Sequence, residues 1–134
     1  MQSESARLAI RIAAAVIRDE EGRFLLVRKR GTAAFMQAGG KIEPGEEPLA
    51  TLLRELNEEL GLVTEAADVQ YLGYYEAEAA NEPGYLVQAE LFAIVHNGEV
   101  APAAEIAEVV WLNPLSPTLP PLAPLTRKHV LRLE

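Results

Sequence analysis

Cysteine is absent from the sequence, which excludes disulfide bonds, thiolate metal sites and a cysteine nucleophile. No apolar run approaches the roughly 18 residues that a membrane span requires, and the longest one near the start covers residues 12–17. No basic region precedes an apolar stretch in residues 1–5, so the sequence predicts no secretory signal. We therefore expect a cytoplasmic protein that does not associate with membranes.

Basic residues are few: 12 Lys and Arg stand against 20 Asp and Glu, a formal net charge of −8. Such a surface repels nucleic acids at long range, so no nucleic-acid polymer is expected as a partner. An anionic substrate would need a metal cation to supply the attraction. The 134 residues, 49% apolar and 24% charged, are typical of one globular domain. We assign residues 1–134 to that domain, with a flexible tail at residues 1–5.

Hydrophobic patterning predicts strands followed by a helix, more strands and a final helix. The strands are expected at residues 8–17, 24–27, 69–77, 85–96 and 108–112, and the helices at residues 48–60 and 125–133. Residues 31–45, with four glycines and one proline, are expected to form a long loop, a type that is usually functional. This order indicates an α+β fold with a mixed sheet and helices packed on its faces.

The helix at residues 48–60 has the clearest signals in the chain. Pro48 suits a first helical turn, and Gly61 suits the position just after the last turn. Apolar residues spaced three and four apart form one stripe that faces a core; they are Leu49, Leu52, Leu53, Leu56 and Leu60.

Three carboxylates share one face of this helix, because Glu55, Glu58 and Glu59 are spaced at i, i+3 and i+4. The face lies beside the leucine stripe, so we expect it at the rim of the core. Clustered carboxylates repel one another, whereas Mg²⁺ or Mn²⁺ prefers such oxygen ligands and keeps waters for a phosphate substrate. The alternative is a solvated acidic face with no ligand.

Two features before the helix favour the metal interpretation. Gly39 and Gly40 allow a backbone to approach a ligand closely and to aim a carbonyl at a metal, although a plain turn is the alternative. Arg54 can reach Glu46 in the preceding loop, and a bidentate pair there would fasten loop to helix. The alternative for that pair is an ordinary surface ion pair.

Together these residues match the complete Nudix box, and the chain resembles the Nudix hydrolase family, in its MutT-like form. The matching positions are Gly40, Glu46, Arg54, Glu55, Leu56, Glu58, Glu59, Gly61 and Leu62. The resemblance implies an α/β/α sandwich with a central mixed sheet, in which the box forms a loop and a helix. The family commonly has proline before the two glycines, where this chain has Gln37-Ala38.

The resemblance also implies an activity: hydrolysis of a diphosphate linkage in a nucleoside diphosphate joined to another group, by metal-activated water attack on phosphorus. Glu58 and Glu59 would be ligands of Mg²⁺ or Mn²⁺, and Glu55 would be a ligand or the base that activates water. Gly39 would offer its carbonyl to the metal. Glu46 and Arg54 would orient the site.

Further groups are expected around this site. Some family members place the base outside the box, and Glu105 is the first candidate here, followed by Glu108 and then by Glu78 and Glu82. Arg28, Arg30 and Lys41 are expected to hold substrate phosphate. Strand alternation would put Arg28 and Arg30 on one face and Lys29 on the other, and solvated strand-end charges are the alternative.

The substrate class is indicated only by what the sequence lacks. The proline that the ADP-ribose subclass tends to carry about sixteen residues beyond the box is missing, since that region reads Ala77-Glu78-Ala79. A nucleoside triphosphate or related diphosphate is favoured. A Nudix-fold module that binds a nucleotide without cleaving it is the alternative function. The resemblance suggests a homodimer.

Overall fold

The computed structural model describes residues 8–133, so the predicted tail at residues 1–5 lies outside the described part of the chain. The strands are β1 (Leu8–Arg18), β2 (Phe24–Lys29), β3 (Phe35–Met36), β4 (Ala38–Lys41), β5 (Gln70–Glu78), β6 (Tyr85–Val95) and β7 (Ile106–Leu112). The helices are α1 (Pro48–Leu60) and α2 (Pro124–Lys128), with short 3₁₀ turns at Ala66–Asp68 and Val130–Arg132. No helix within residues 8–133 is long and apolar enough to cross a membrane.

The strands form one mixed sheet around β1. Its main order is β3-β2-β1-β6-β5, while β4 also pairs with β1 and β7 pairs with β2. The β1–β6 pair is parallel and the other pairs are antiparallel. The expected α+β fold with a mixed sheet is therefore confirmed.

Alternation along β1 and β2 divides the core into two layers. Ala13, Ala15 and Ile17 pack with Leu25 and Val27 on the face that the α1 leucines cover. The intervening β1 and β2 residues pack on the other face, against Leu125 of α2 and Val130. Both faces of the central strands are thus buried, which explains why these strands are almost continuously apolar. The arrangement is the expected sandwich of helix, sheet and helix.

Helix α1 begins and ends where the sequence predicts. Pro48 occupies its first turn, and Gly61 adopts the left-handed conformation (φ 68°) just after the last turn. The Gly61 amide donates to the Asn57 carbonyl at 3.0 Å, and the Leu62 amide donates to the Leu56 carbonyl at 3.2 Å. These bonds satisfy carbonyls that the helix end would leave unpaired. Leu52, Leu56 and Leu60 are fully buried, so the stripe faces the core as predicted.

Three sequence predictions were wrong in detail. Residues 31–45 do not form one loop, because β3 and β4 lie within them. Two residues in β3, and four residues with two glycines in β4, are too few to give a periodic signal. The last strand begins at Ile106, two residues before the predicted start. The predicted terminal helix at residues 125–133 breaks at His129 (φ −122°, ψ −50°) and continues as a 3₁₀ turn.

Candidate active site

The two glycines of the box lie in β4 and touch their neighbours too closely to carry side chains. Gly39 pairs with Ala14 of β1, and a Cβ on Gly39 would lie 2.2 Å from the Ala13 carbonyl oxygen. A Cβ on Gly40 would lie 2.4 Å from Cδ of Glu55. The glycines therefore make a sheet contact on one side and leave space for a carboxylate on the other. A plain turn is not what they form.

The predicted bidentate pair joins the loop to α1. Arg54 Nε donates to Glu46 Oε2 at 3.0 Å, and Arg54 Nη2 donates to Glu46 Oε1 at 2.9 Å. The Thr51 hydroxyl also donates to Glu46 Oε1, at 2.7 Å. The hydrogen bonds from Arg54, and then those from Thr51 and the Glu43 amide, lower the pKa of Glu46 from 4.5 to about 2. The same pair raises the pKa of Arg54, so both groups stay charged across the physiological range.

The three helix carboxylates have different surroundings. Glu59 is 5% exposed, and its Oε1 accepts a 3.2 Å hydrogen bond from the Gly39 amide. Glu55 is largely covered and accepts a 2.9 Å bond from Arg54 Nη1. Glu58 is half exposed, with its Oε1 3.7 Å from the same nitrogen. The expected position at the rim of the core holds for Glu55 and Glu59, whereas Glu58 faces solvent.

Burial dominates the electrostatics of Glu59. Removal from water raises its pKa from 4.5 to about 7, because the charged form loses hydration. The Gly39 hydrogen bond and the charge of Lys29 act against this shift, while Glu55 and Glu105 add to it. A cation beside this carboxylate would relieve both the burial and the repulsion.

These groups line a groove of about 510 Å³ between α1, β4 and the β5–β6 connection, hereafter the glutamate groove. Its charged lining consists of Glu43, Glu55, Glu59, Glu82, Glu105, Lys29, Arg30 and Lys41, and the lining also includes Gly39, Gly40, Thr32 and Asn81. Carboxylates and cations therefore face one cleft, which gives it groups for both a metal and a phosphate.

The cations at the groove differ from those predicted. Arg30 and Lys41 line it, but Lys29 lines it in place of Arg28. Alternation explains the difference, because Lys29 follows Leu25 and Val27 on the α1 face of β2. Arg28 donates instead to Glu108 Oε1 at 2.9 Å and to the Thr32 carbonyl at 2.8 Å. The predicted shared face of Arg28 and Arg30 was wrong, since the strand ends at Lys29.

The candidate bases also separate in space. Glu105 lines the groove, and its carbonyl accepts a 2.7 Å hydrogen bond from the Arg30 amide. The preceding Ala104 has a positive φ of 55°, unusual for a residue with a side chain. Glu108 is paired with Arg28 outside the groove. Glu82 lines the groove, whereas Glu78 lines a neighbouring cleft.

The donors fit a hard divalent cation in their chemistry. Carboxylates face the groove, and the missing Cβ of Gly40 leaves room for the Glu55 carboxyl group. Within residues 8–133, no three acidic or histidine side chains already lie at metal-binding spacing. Arg54 holds the Glu55 carboxylate, and Glu58 is turned to solvent. The side chains of Glu55 and Glu58 would have to rotate before both could bind one metal ion.

Comparison with known proteins defines the class. A model of the NUDIX domain matches residues 9–133, so the chain belongs to the Nudix family. The expectation of a MutT-like Nudix hydrolase, a pyrophosphohydrolase enzyme, is thereby confirmed.

Individual relatives agree with this assignment. The chain is 30% identical to the CTP pyrophosphohydrolase of Escherichia coli K12 over 119 residues, which cover 86% of this chain and 84% of the relative. It is similar to the MutT protein of Methanosarcina mazei Go1, with 26% identity, a TM-score of 0.66, and coverage of 81% and 79%. A MutT Nudix hydrolase from Burkholderia pseudomallei shares the fold, with 21% identity, a TM-score of 0.77, and coverage of 94% and 98%.

Sequence reasoning missed three groups around the groove. Lys29 was assigned to the wrong face because the sequence does not say which face α1 covers. The Thr51 hydroxyl, which supports Glu46, gives no signal in a helix. Asn81, in the groove lining, was not among the predicted site residues.

Proposed function

We propose that this chain hydrolyses a diphosphate linkage in a nucleoside diphosphate joined to another group, with a nucleoside triphosphate as the favoured substrate and Mg²⁺ or Mn²⁺ as cofactor. The convergence of Glu55, Glu59 and Glu105 with Lys29 and Lys41 in one groove carries this proposal. Two opposite sets of charge in one cleft suit a reaction in which a cation and a polyphosphate are held together.

The cations of the groove would bind the polyphosphate. Lys29, Arg30 and Lys41 place three positive side chains along it, and they offset the repulsion that a protein of net charge −8 exerts on an anion. The same cations would stabilise the negative charge that develops on the phosphate oxygens as the leaving phosphate departs.

Glu105 is our first candidate for the general base, and Glu55 is the second. The base takes a proton from the attacking water as the water oxygen bonds to phosphorus. The bond between that phosphorus and the bridging oxygen breaks, and the leaving phosphate keeps the electron pair. Glu105 is exposed and lines the groove, so it has access to water. Glu55 must first be released from Arg54.

Glu55, Glu58 and Glu59 would hold the metal, with the Gly39 carbonyl as a further ligand. A divalent cation bound there would lower the pKa of a coordinated water and would neutralise phosphate charge. Arg54 and Glu46 fix the loop against α1, so that these carboxylates start from one position. In the structure Gly39 contacts Glu59 through its amide.

The test is phosphate release from a nucleotide panel, with Mg²⁺, Mn²⁺ or chelator, and with coupled pyrophosphatase and phosphatase. The panel contains the nucleoside triphosphates, oxidised deoxynucleotides, ADP-ribose, sugar nucleotides and dinucleoside polyphosphates. CTP belongs in it because the E. coli relative is named a CTP pyrophosphohydrolase. We expect metal-dependent turnover of a nucleoside triphosphate, and E59Q, purified in parallel, controls for contaminating enzymes.

Two outcomes would contradict the proposal. Turnover that persists in chelator would remove the metal from the reaction. Nucleotide binding with no turnover across the panel would favour the non-catalytic binding module.

Location and assembly are separate proposals. We propose a cytoplasmic protein, because the chain has no cysteine, and we propose that nucleic-acid polymers are not substrates, because of its negative charge. We also propose a homodimer on the family resemblance. Light scattering at two protein concentrations tests the dimer, and a monomeric mass at both would contradict it.

A further inference from the structure

A narrow apolar cleft extends from the glutamate groove to the α2 side of the sheet. Its two parts have volumes of about 140 and 80 Å³, and the first shares Lys29, Gly39 and Lys41 with the groove. Apolar side chains common to both parts form its walls; they are Ile12, Ala14, Met36, Ala80 and Val87. A ligand with an anionic end in the glutamate groove and a flat, weakly polar end in this apolar cleft would fit the two together.

Gln37 lines both parts of this apolar cleft and has an unsatisfied hydrogen-bonding group. The side chain is 7% exposed, and its Oε1 accepts a 2.9 Å hydrogen bond from the fully buried Thr126 hydroxyl. Its Nε2 is buried and has no hydrogen-bond partner within the described part of the chain. A buried donor with no acceptor is costly and uncommon in proteins.

The position of Gln37 relates this donor to the reaction site. Gln37 precedes Gly39 by two residues, about 7 Å along an extended chain, and Gly39 contacts the buried Glu59. The Thr126 hydroxyl donates to Oε1, which leaves Nε2 as the end of the amide without a partner. A hydrogen bond to a ligand atom in the cleft would satisfy Nε2 and would also discriminate between ligands.

We infer that the apolar cleft holds the nucleobase of the substrate, and that Gln37, oriented by Thr126, donates a hydrogen bond to an acceptor on the base edge and sets base preference. This inference deepens the proposed function and rests on it. The aliphatic walls would pack against the base, while Lys29 and Lys41, at the junction of cleft and groove, would meet the phosphates.

The experiment compares kcat/KM for CTP, UTP, GTP and ATP in the intact protein and in three variants. Q37M keeps an unbranched side chain of similar length but removes the amide. Q37M/T126V removes both members of the hydrogen bond, so that neither is left unpaired. Q70M is the matched control, because Gln70 is exposed and lines a different cavity, beside Val95.

We expect Q37M and Q37M/T126V to lower kcat/KM for the preferred nucleotide about tenfold or more. The differences in kcat/KM among CTP, UTP, GTP and ATP should therefore become smaller. Q70M should keep the ratios of the intact protein. The midpoint of urea unfolding should not fall in Q37M/T126V, since no buried polar group is then left unpaired. T126V alone, which removes only the orienting hydroxyl, should shift the ratios in the same direction by a smaller factor.

Two results would overturn the inference. Unchanged base ratios in Q37M, in an enzyme that is active on nucleotides, would remove Gln37 from base selection while leaving the proposed function intact. If the intact protein hydrolyses no member of the nucleotide panel, the proposed function fails, and calorimetric titration with nucleoside monophosphates in chelator decides instead. Tenfold weaker binding to Q37M would then support a base site in the cleft, and equal or absent binding would overturn it.

Discussion

Arg54 and Glu46 lie eight residues apart and are joined by two hydrogen bonds of 2.9 and 3.0 Å, which fasten the loop before α1 to the helix. Arg54 also donates to Glu55 at 2.9 Å. One guanidinium group therefore connects the loop, the helix and a candidate metal ligand.

The Arg54–Glu46 pair predicts a loss of stability in acid. The pKa of Glu46 falls from 4.5 to about 2 on folding, so the folded protein binds this proton less readily than the unfolded chain. The stabilisation is complete above pH 4.5 and is lost as the pH falls toward 2. We expect E46Q to lower the urea midpoint at pH 7 and to converge on the intact protein only as the pH reaches about 2. E47Q, an exposed neighbour, controls for charge, and a constant difference between E46Q and intact protein would contradict this account.

Gly40→Ala should disturb the site through Glu55. The new Cβ would lie 2.4 Å from Glu55 Cδ, so the carboxylate must move away from β4. We expect kcat to fall about tenfold or more, because small displacements of catalytic groups are costly. Gly45→Ala is the control: it meets no atom within 4 Å but must adopt a φ of +79°, so it costs stability without touching Glu55. If both variants lose activity equally, the loss in Gly40→Ala would come from a change in the backbone and not from displacement of Glu55.

Glu59 and Glu58 should differ in stability though both lose activity. In chelator at pH 8, E59Q should raise the free energy of unfolding by about 1–3 kcal/mol, because it replaces a buried carboxylate by a neutral group that still accepts from the Gly39 amide. E58Q should leave stability unchanged, since Glu58 is half exposed. Both should abolish metal-dependent turnover, and denaturant titrations with parallel assays measure the two effects. A destabilised E59Q would mean that Glu59 supports the fold as a carboxylate.

Lys29 and Arg28 should have opposite roles. Because Lys29 lines the glutamate groove and Arg28 pairs with Glu108 outside it, K29M should lower kcat/KM about tenfold, chiefly through KM. R28M should keep the kinetic constants and lower the thermal midpoint slightly. Steady-state kinetics on the best substrate, at several salt concentrations, measure this difference. A raised KM in R28M would instead support the sequence prediction that Arg28 holds substrate phosphate.

Glu105, the first candidate base, should differ from Glu108, which the sequence had also suggested as a base. E105Q should lower kcat about 100-fold, the usual effect of losing a general base, whereas E108Q should retain it because Glu108 is paired with Arg28. The pH–rate profile distinguishes a base from a positioning residue: loss of the acidic limb in E105Q would support the first role. If kcat is unchanged in E105Q, Glu55 becomes the candidate.

Much of the fold and the site could be predicted from local patterns. Pro48, the leucine stripe and Gly61 predict α1 at its observed bounds because they act within a few residues. The spacing of Glu55 and Glu59 on one helix face follows from the helical repeat alone. The strands β3 and β4 could not be predicted from their own composition, since β3 depends on its pairing with β2 and β4 on the pairing of Gly39 with Ala14 of β1.

The sequence by itself determined the class of this protein, because the carboxylates, glycines and arginine of one short segment specify a helix and its loop. Tertiary structure alone decided which groups surround that segment. Lys29 enters the glutamate groove and Arg28 does not, because α1 covers one particular face of β2. Gln37 meets Thr126 across 89 residues of chain, a contact that no local pattern encodes. Contacts between distant segments depend on how the layers pack. The periodicity of a strand or helix shows which residues share a face, but not which layer covers that face.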